Sequence, residues 1–114
     1  MGSKSRTASR QSIYQSHLSN AMRRKKEILA EAVIAESKVW YDRHQVGMES
    51  VYPKEQDPKV LGFINGAIKS ARNMERKYGK KNLGPYTKFE WGMLNGRLET
   101  LRWVLGEDWG NLDS

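Results

Sequence analysis

The apolar residues of this chain fall into three amphipathic helical patterns that are separated by glycine and proline. The strongest pattern covers residues 88–105, where apolar side chains recur every three or four positions, at Trp91, Leu94, Leu98, Leu101 and Leu105. Thr87 and Glu90 are placed as a capping box at its start, and Gly106 marks its end. The apolar surface is widened by Phe89, Met93, Trp103 and Val104. Such a helix is not stable alone in water and must pack against the rest of the chain or against a partner.

Two further helices are predicted before it. The first covers residues 19–46, with Ser19 as N-cap and Gly47 as the stop, and it carries an apolar stripe of Ile28, Ala32, Ala35, Val39 and Val46. The second covers residues 58–78, with Asp57 as N-cap and Pro58 at the first helical position. The sequence therefore predicts an all-α fold, a compact three-helix domain in which a long first helix is followed by an antiparallel helix pair.

The first residues have a different composition from the helical part. Residues 1–16 are rich in Ser, Arg and Lys and poor in apolar side chains, which predicts a flexible basic N-terminal arm. The remaining residues, 17–114, are long enough for a single helical domain. Organellar transit peptides have a similar composition, but no amphipathic helix begins here before Leu18.

The charge is unevenly distributed along the chain. The net charge is +7, and basic blocks at residues 1–26 (+7) and 69–88 (+6) alternate with acidic blocks at 27–68 (−3) and 89–114 (−3). Basic blocks of this kind indicate a polyanionic partner. The alternative is that each acidic block neutralises a basic one within the fold.

Within these blocks, nine residues are the candidates for contacting nucleic acid. The first four are consecutive and are expected to surround the opening turns of the first helix: Arg23, Arg24, Lys25 and Lys26. The other five follow in the second block: Arg72, Arg76, Lys77, Lys80 and Lys81. We predict that they bind phosphates without reading base sequence, because no helix-turn-helix or zinc-finger pattern is present. The alternative for the first four is a solvated collar with no ligand.

The second and third predicted helices contain similar segments that are 30 residues apart in the sequence. Each helix contains a Gly-x-x-x-Gly pair with an asparagine before the second glycine, and a helical glycine costs about 1 kcal/mol relative to alanine. We expect the two helices to cross at these residues: Gly62, Asn65, Gly66, Gly92, Asn95 and Gly96. The alternatives are a chance similarity, or a vacant glycine face that admits a ligand or another subunit.

One segment carries a resemblance to other proteins. Residues 89–106, with a Trp-Gly-Met-Leu-Asn-Gly core at 91–96, and the block Val-Trp-Tyr-Asp-Arg-His at 39–44 resemble those of a group of small uncharacterised proteins. The resemblance covers a third to half of the chain. It implies no activity, so function has to be argued from the residues.

The sequence contains few candidates for catalytic or metal-binding residues. The chain has no cysteine, which excludes disulfides, thiolate metal sites and thiol nucleophiles. Asp42, Arg43 and His44 lie together near the predicted end of the first helix, where we expect a structural ion pair at the helix end. No metal-ligand spacing or phosphate-binding glycine loop is found, so we predict no cofactor, no metal and no enzyme activity.

The remaining predictions concern partners and location. No apolar run is long enough for a membrane span and no signal peptide is recognised, so a cytoplasmic protein without membrane contact is expected. Nucleic acid is the favoured partner. The alternative function is a non-catalytic helical module that binds a protein or a second copy of itself, because Trp103 lies off the main apolar stripe and leaves apolar surface uncovered.

Overall fold

The computed structural model describes residues 21–110 and confirms the all-α, three-helix fold. Helix α1 covers Lys25–Ser50, α2 covers Pro58–Tyr78 and α3 covers Lys88–Val104. Short 3-10 turns at Tyr52–Lys54 and Lys80–Asn82 lie between them, and no strand occurs in residues 21–110. The arm predicted at residues 1–16 and the N-cap predicted at Ser19 lie outside the described residues.

Helix α2 has the predicted bounds, and α3 begins at the predicted residue and ends at Val104, one residue before the predicted end. The Asp57 carboxylate accepts a hydrogen bond from the backbone N–H of Lys59 at 2.9 Å, beside Pro58. Thr87 and Glu90 form the capping box, with the Thr87 hydroxyl accepting from the Glu90 N–H at 3.1 Å and the Glu90 carboxylate accepting from the Thr87 N–H at 2.9 Å. These bonds satisfy backbone donors that the first turn of a helix leaves unpaired.

Both bounds of α1 differ from the prediction. The helix begins at Lys25 because Arg24 is extended and donates its backbone N–H to the Glu27 carboxylate at 3.3 Å. It continues past Gly47 to Ser50. Gly47 is buried inside the helix, and a Cβ at that position would lie 2.8 Å from the Tyr52 ring. Gly47 therefore makes space for Tyr52 and does not end the helix.

Helix α1 is the element against which the other two pack. One cluster of buried side chains joins α1 to α3, and it consists of Ala35, Val39, Leu94 and Leu98, with Tyr86 and Trp91 packed against it. A second cluster joins α1 to α2 and the following turn through Tyr41, Ala71 and Leu83. The two clusters use different parts of α1, so α2 and α3 are each held by α1.

The crossing predicted at the glycines is wrong. A Cβ added at Gly62, Gly66, Gly92 or Gly96 would meet no atom of the neighbouring elements within 4 Å. Asn65 is exposed, and the Asn95 amide donates to the Trp91 carbonyl of its own helix at 2.8 Å. The physical reason is that the apolar sides of α2 and α3 both pack on α1, and the glycines lie on the opposite sides. Both glycine faces are therefore open to solvent among the described residues.

Candidate nucleic-acid interface

The side of α2 that points away from α1 is basic. Lys69, Arg72, Asn73 and Arg76 follow one another at helical spacing, so they share one side of the helix, and all four are exposed. We call these four residues the outer face of α2. Ala71 lies on the opposite side and is buried against α1. The same contact that fixes α2 on α1 therefore turns the three cations to solvent.

The single acid of this block, Glu75, is held on the inner side of α2. The Tyr41 hydroxyl donates to Glu75 Oε2 at 2.9 Å and accepts from Gln45 Nε2 at 2.7 Å. Burial, together with the bond to Glu75 and its negative charge, raises the pKa of Tyr41 above its ordinary value. The Glu75 carboxylate is thus hydrogen-bonded on the side of α2 away from the outer face. It therefore does not neutralise the positive charge of the outer face.

The outer-face cations have no acidic partner within residues 21–110. The two ion pairs found there both involve Arg102, which lies 3.8 Å from Glu36 and 3.6 Å from Glu99. On the outer face, the Arg76 guanidinium donates to the Asn73 side-chain oxygen. Neutralisation of the second basic block by an acidic block, the alternative considered from the sequence, is not seen in this part of the chain.

The basic surface continues into the turn that follows α2. Lys77, Lys80 and Lys81 are exposed, and Lys77 Nζ lies 5.4 Å from the centre of the Tyr78 ring. The turn is anchored by Leu83, whose exposed fraction is 1%. Five predicted contact residues therefore lie on one short, anchored segment: Arg72, Arg76, Lys77, Lys80 and Lys81. Lys69 joins them from the same block.

The first basic cluster is separate from this segment. Arg23, Arg24, Lys25 and Lys26 are exposed, but Arg23 and Arg24 precede α1, so the cluster does not surround a helix as predicted. Tyr41 marks the place where α2 meets α1, and it lies about 24 Å along the helix from Lys25 at 1.5 Å per residue. The first cluster therefore lies several helical turns along α1 from the contact between Tyr41 and α2.

His44 occupies a site that the sequence interpretation missed. It is buried and stacks on Trp40 with ring centres 5.0 Å apart, and its Nδ1 lies 3.3 Å from the Tyr52 hydroxyl. The predicted helix-end ion pair of Asp42, Arg43 and His44 is wrong, because α1 continues past them and they form no ion pair among the described residues. The spacing of Trp40 and His44 could have predicted this stacking, because residues four apart lie on the same side of a helix, one turn from each other.

The environment of His44 makes stability depend on pH. Burial lowers the pKa of His44 below 6.5, and the charge of Glu75 opposes this shift. The unfolded chain therefore takes up the proton first, and the free energy of unfolding should fall as pH drops below about 6.5. Urea unfolding at a series of pH values should show a shallower fall in His44→Gln. Identical pH profiles for the two proteins would contradict this role.

The groove between α1 and α2 is lined by few residues that could take part in catalysis or bind a metal ion. It has a volume of about 380 Å³ and is lined by Val33, Glu36, Ser37, Trp40, Ser70 and Met74. Its one acid, Glu36, pairs with Arg102. Within residues 21–110, no group of three or more His, Asp or Glu side chains is arranged to hold a metal ion. Likewise, none of the helices in that range combines the length and apolarity needed to cross a membrane.

The chain was compared with protein-family models, with curated proteins and with solved structures, and nothing matched in any of the three comparisons.

Proposed function

We propose that this chain binds nucleic acid through its phosphate backbone, without reading base sequence, and that the outer face of α2 and the following turn are the main contact surface. The observation that carries the proposal is the separation of charge on α2. Lys69, Arg72 and Arg76 are exposed and have no acidic partner within residues 21–110, whereas Glu75 is bonded to Tyr41 on the other side. A fixed row of uncompensated cations is the common requirement of sequence-independent phosphate binding.

The dimensions of the outer face suit a phosphate backbone. Lys69 and Arg76 are seven residues apart, which is about 10 Å along the helix axis. Measured along the axis of a duplex, one strand carries a phosphate about every 3.4 Å, so this length covers roughly three phosphates of a strand. The guanidinium groups of Arg72 and Arg76 can each donate two hydrogen bonds to a phosphate, and this geometry favours arginine at such sites.

The N-terminal half of α2 extends the same side of the helix. Gly62 and Gly66 lie in line with Lys69, and an added Cβ at either glycine would meet nothing within 4 Å. Asn65 between them is exposed and carries an amide donor. A sugar-phosphate backbone that contacts Lys69 can therefore continue close to the helix backbone at the glycines.

The cluster Arg23–Lys26 adds a second set of contacts in this proposal. Lys25 lies about 24 Å along α1 from Tyr41, where α2 packs. An oligonucleotide of a few nucleotides is therefore too short to contact both basic regions at once. Affinity should therefore increase with length until both regions are covered.

Titration of labelled duplex and single-stranded oligonucleotides tests the proposal. We expect measurable binding to any sequence, with an affinity that falls steeply between about 50 mM and 200 mM salt and a logarithmic slope of roughly −3 or steeper. Two results would overturn it: a dissociation constant weaker than about 10⁻⁴ M at low salt, or an affinity that does not respond to salt.

A further inference from the structure

The side of α3 that points away from α1 is apolar, unlike the corresponding side of α2. Phe89, Met93 and Trp103 are 76%, 53% and 51% exposed. They lie on the side opposite the buried residues Leu94 and Leu98. We call the residues on this side the outer face of α3, and they are Phe89, Gly92, Met93, Gly96, Thr100 and Trp103. Helix α3 is thus apolar on two opposite sides, and α1 covers only one of them.

Five of the six residues of this face are arranged symmetrically about Gly96 by side-chain size, and Met93, whose mirror position is Glu99, is the exception. Gly92 and Thr100 lie four residues before and after it, and both are small. Phe89 and Trp103 lie seven residues before and after it, about 10 Å in either direction along the axis, and both are large aromatics. The face therefore has small residues at its centre and one aromatic residue at each end.

From this symmetry we infer that the outer face of α3 binds the same face of a second copy, with the two helices antiparallel and crossing at Gly96. In that arrangement Phe89 of one copy packs on Trp103 of the other, and Gly92 lies opposite Thr100. Each contact occurs twice, as a two-fold interface requires. The absence of side chains at the crossing lets the helices approach more closely than the usual 8–10 Å.

The residues that follow α3 enlarge the apolar surface of its outer face. Gly106 has a φ of +104°, which turns the chain back so that Trp109 stacks on Trp103 with ring centres 5.3 Å apart. The backbone N–H of Gly110 donates to the Glu99 carboxylate at 2.9 Å and holds this turn. Trp109 and Val104 therefore border the aromatic end of the face and are themselves about half exposed.

The area available agrees with a dimer. A whole aromatic side chain presents about 150–250 Å², so the exposed parts of Phe89, Trp103, Trp109, Met93 and Val104 amount to roughly 500 Å² per copy. That is as large as the largest apolar patch of a typical monomer. With the exposed backbone of the glycine strip, two copies would bury about 1,200 Å², which is the lower limit for a specific interface.

Sedimentation of the full chain at high salt, over a wide concentration range, is the first test. We expect a reversible dimer that Gly96→Gln weakens roughly thirtyfold or more, since its side chain occupies the crossing point. Gly66→Gln places the same side chain on α2 and serves as the matched control, with dimerisation expected to be unchanged. A wild-type chain that stays monomeric at about 1 mM overturns the proposal, as does a Gly96→Gln variant that dimerises like the wild type.

Cysteine cross-linking tests the arrangement itself, and the absence of native cysteine makes it unambiguous. Residue 96 lies on the two-fold axis, so Gly96→Cys should form a disulfide-linked dimer under mild oxidation, because a bridge needs Cα atoms within about 7 Å. A mixture of Gly92→Cys and Thr100→Cys chains should form the mixed dimer in preference to either symmetric one. Cross-linking of Gly66→Cys as readily as Gly96→Cys would overturn the proposal, and so would a dimer whose Gly96→Cys chains fail to cross-link.

Discussion

Leu98→Ala is expected to lower the free energy of unfolding by about 2–5 kcal/mol, which is a large part of the stability of a small domain. Leu98 is 3% exposed and packs with Ala35, Val39 and Leu94 between α1 and α3. Ala35 and Val39 are small and belong to the central helix, so they cannot move to fill the space that the leucine leaves. Urea unfolding followed by circular dichroism would measure the loss.

Leu61→Ala is the matched control, because it removes the same atoms from an exposed position of α2. Its cost should be below that of Leu98→Ala, since Leu61 is already 38% exposed and its removal leaves no enclosed cavity. Equal losses from the two substitutions would contradict the placement of Leu98 in a buried cluster between α1 and α3.

The second large effect concerns binding. Replacing Lys69, Arg72 and Arg76 together by glutamine should reduce the affinity for nucleic acid by roughly two to three powers of ten at about 0.1 M salt. It should also make the salt slope shallower by roughly two to three units, because each lost phosphate contact contributes about 0.7–0.9. The variant should unfold like the wild type, since all three side chains are exposed.

A charge-matched control separates this surface from a general effect of net charge. Arg43, Lys54 and Arg97 are exposed and lie outside both basic clusters. Their replacement by glutamine removes the same three positive charges. This control should leave most of the affinity and of the salt slope in place. If both triple variants lose affinity equally, the contact surface is not the outer face of α2.

Where the sequence predicted the structure correctly, the determining interactions are local. The bounds of α2 and the start of α3 depend on Asp57 with Pro58 and on Thr87 with Glu90, all of which act within one turn of the helix. Gly47 was wrongly predicted to end α1, because Tyr52 packs over this glycine inside the helix. A glycine that makes room for a ring has the same appearance in the sequence as a glycine that stops a helix.

The glycine pairs failed as predictors for a related reason. A Gly-x-x-x-Gly pair indicates that a helix side is flat, but it does not indicate which side the neighbouring helix covers. The packing of Ala71 on α1 and of Leu94 and Leu98 on α1 decides this, and it leaves both glycine faces outside. The exposure of Lys69, Arg72 and Arg76 follows a simpler rule, because charged side chains rarely leave solvent without a partner.

The most direct test of the proposed interface is a nuclear magnetic resonance titration of the full, isotopically labelled chain with a short single-stranded oligonucleotide. We expect the largest amide shift changes at residues 66–77 and 80–82. These changes should weaken with added salt, and residues of the outer face of α3 should change little. Shift changes concentrated at Phe89, Gly96 and Trp103, or spread evenly over the helices, would contradict it.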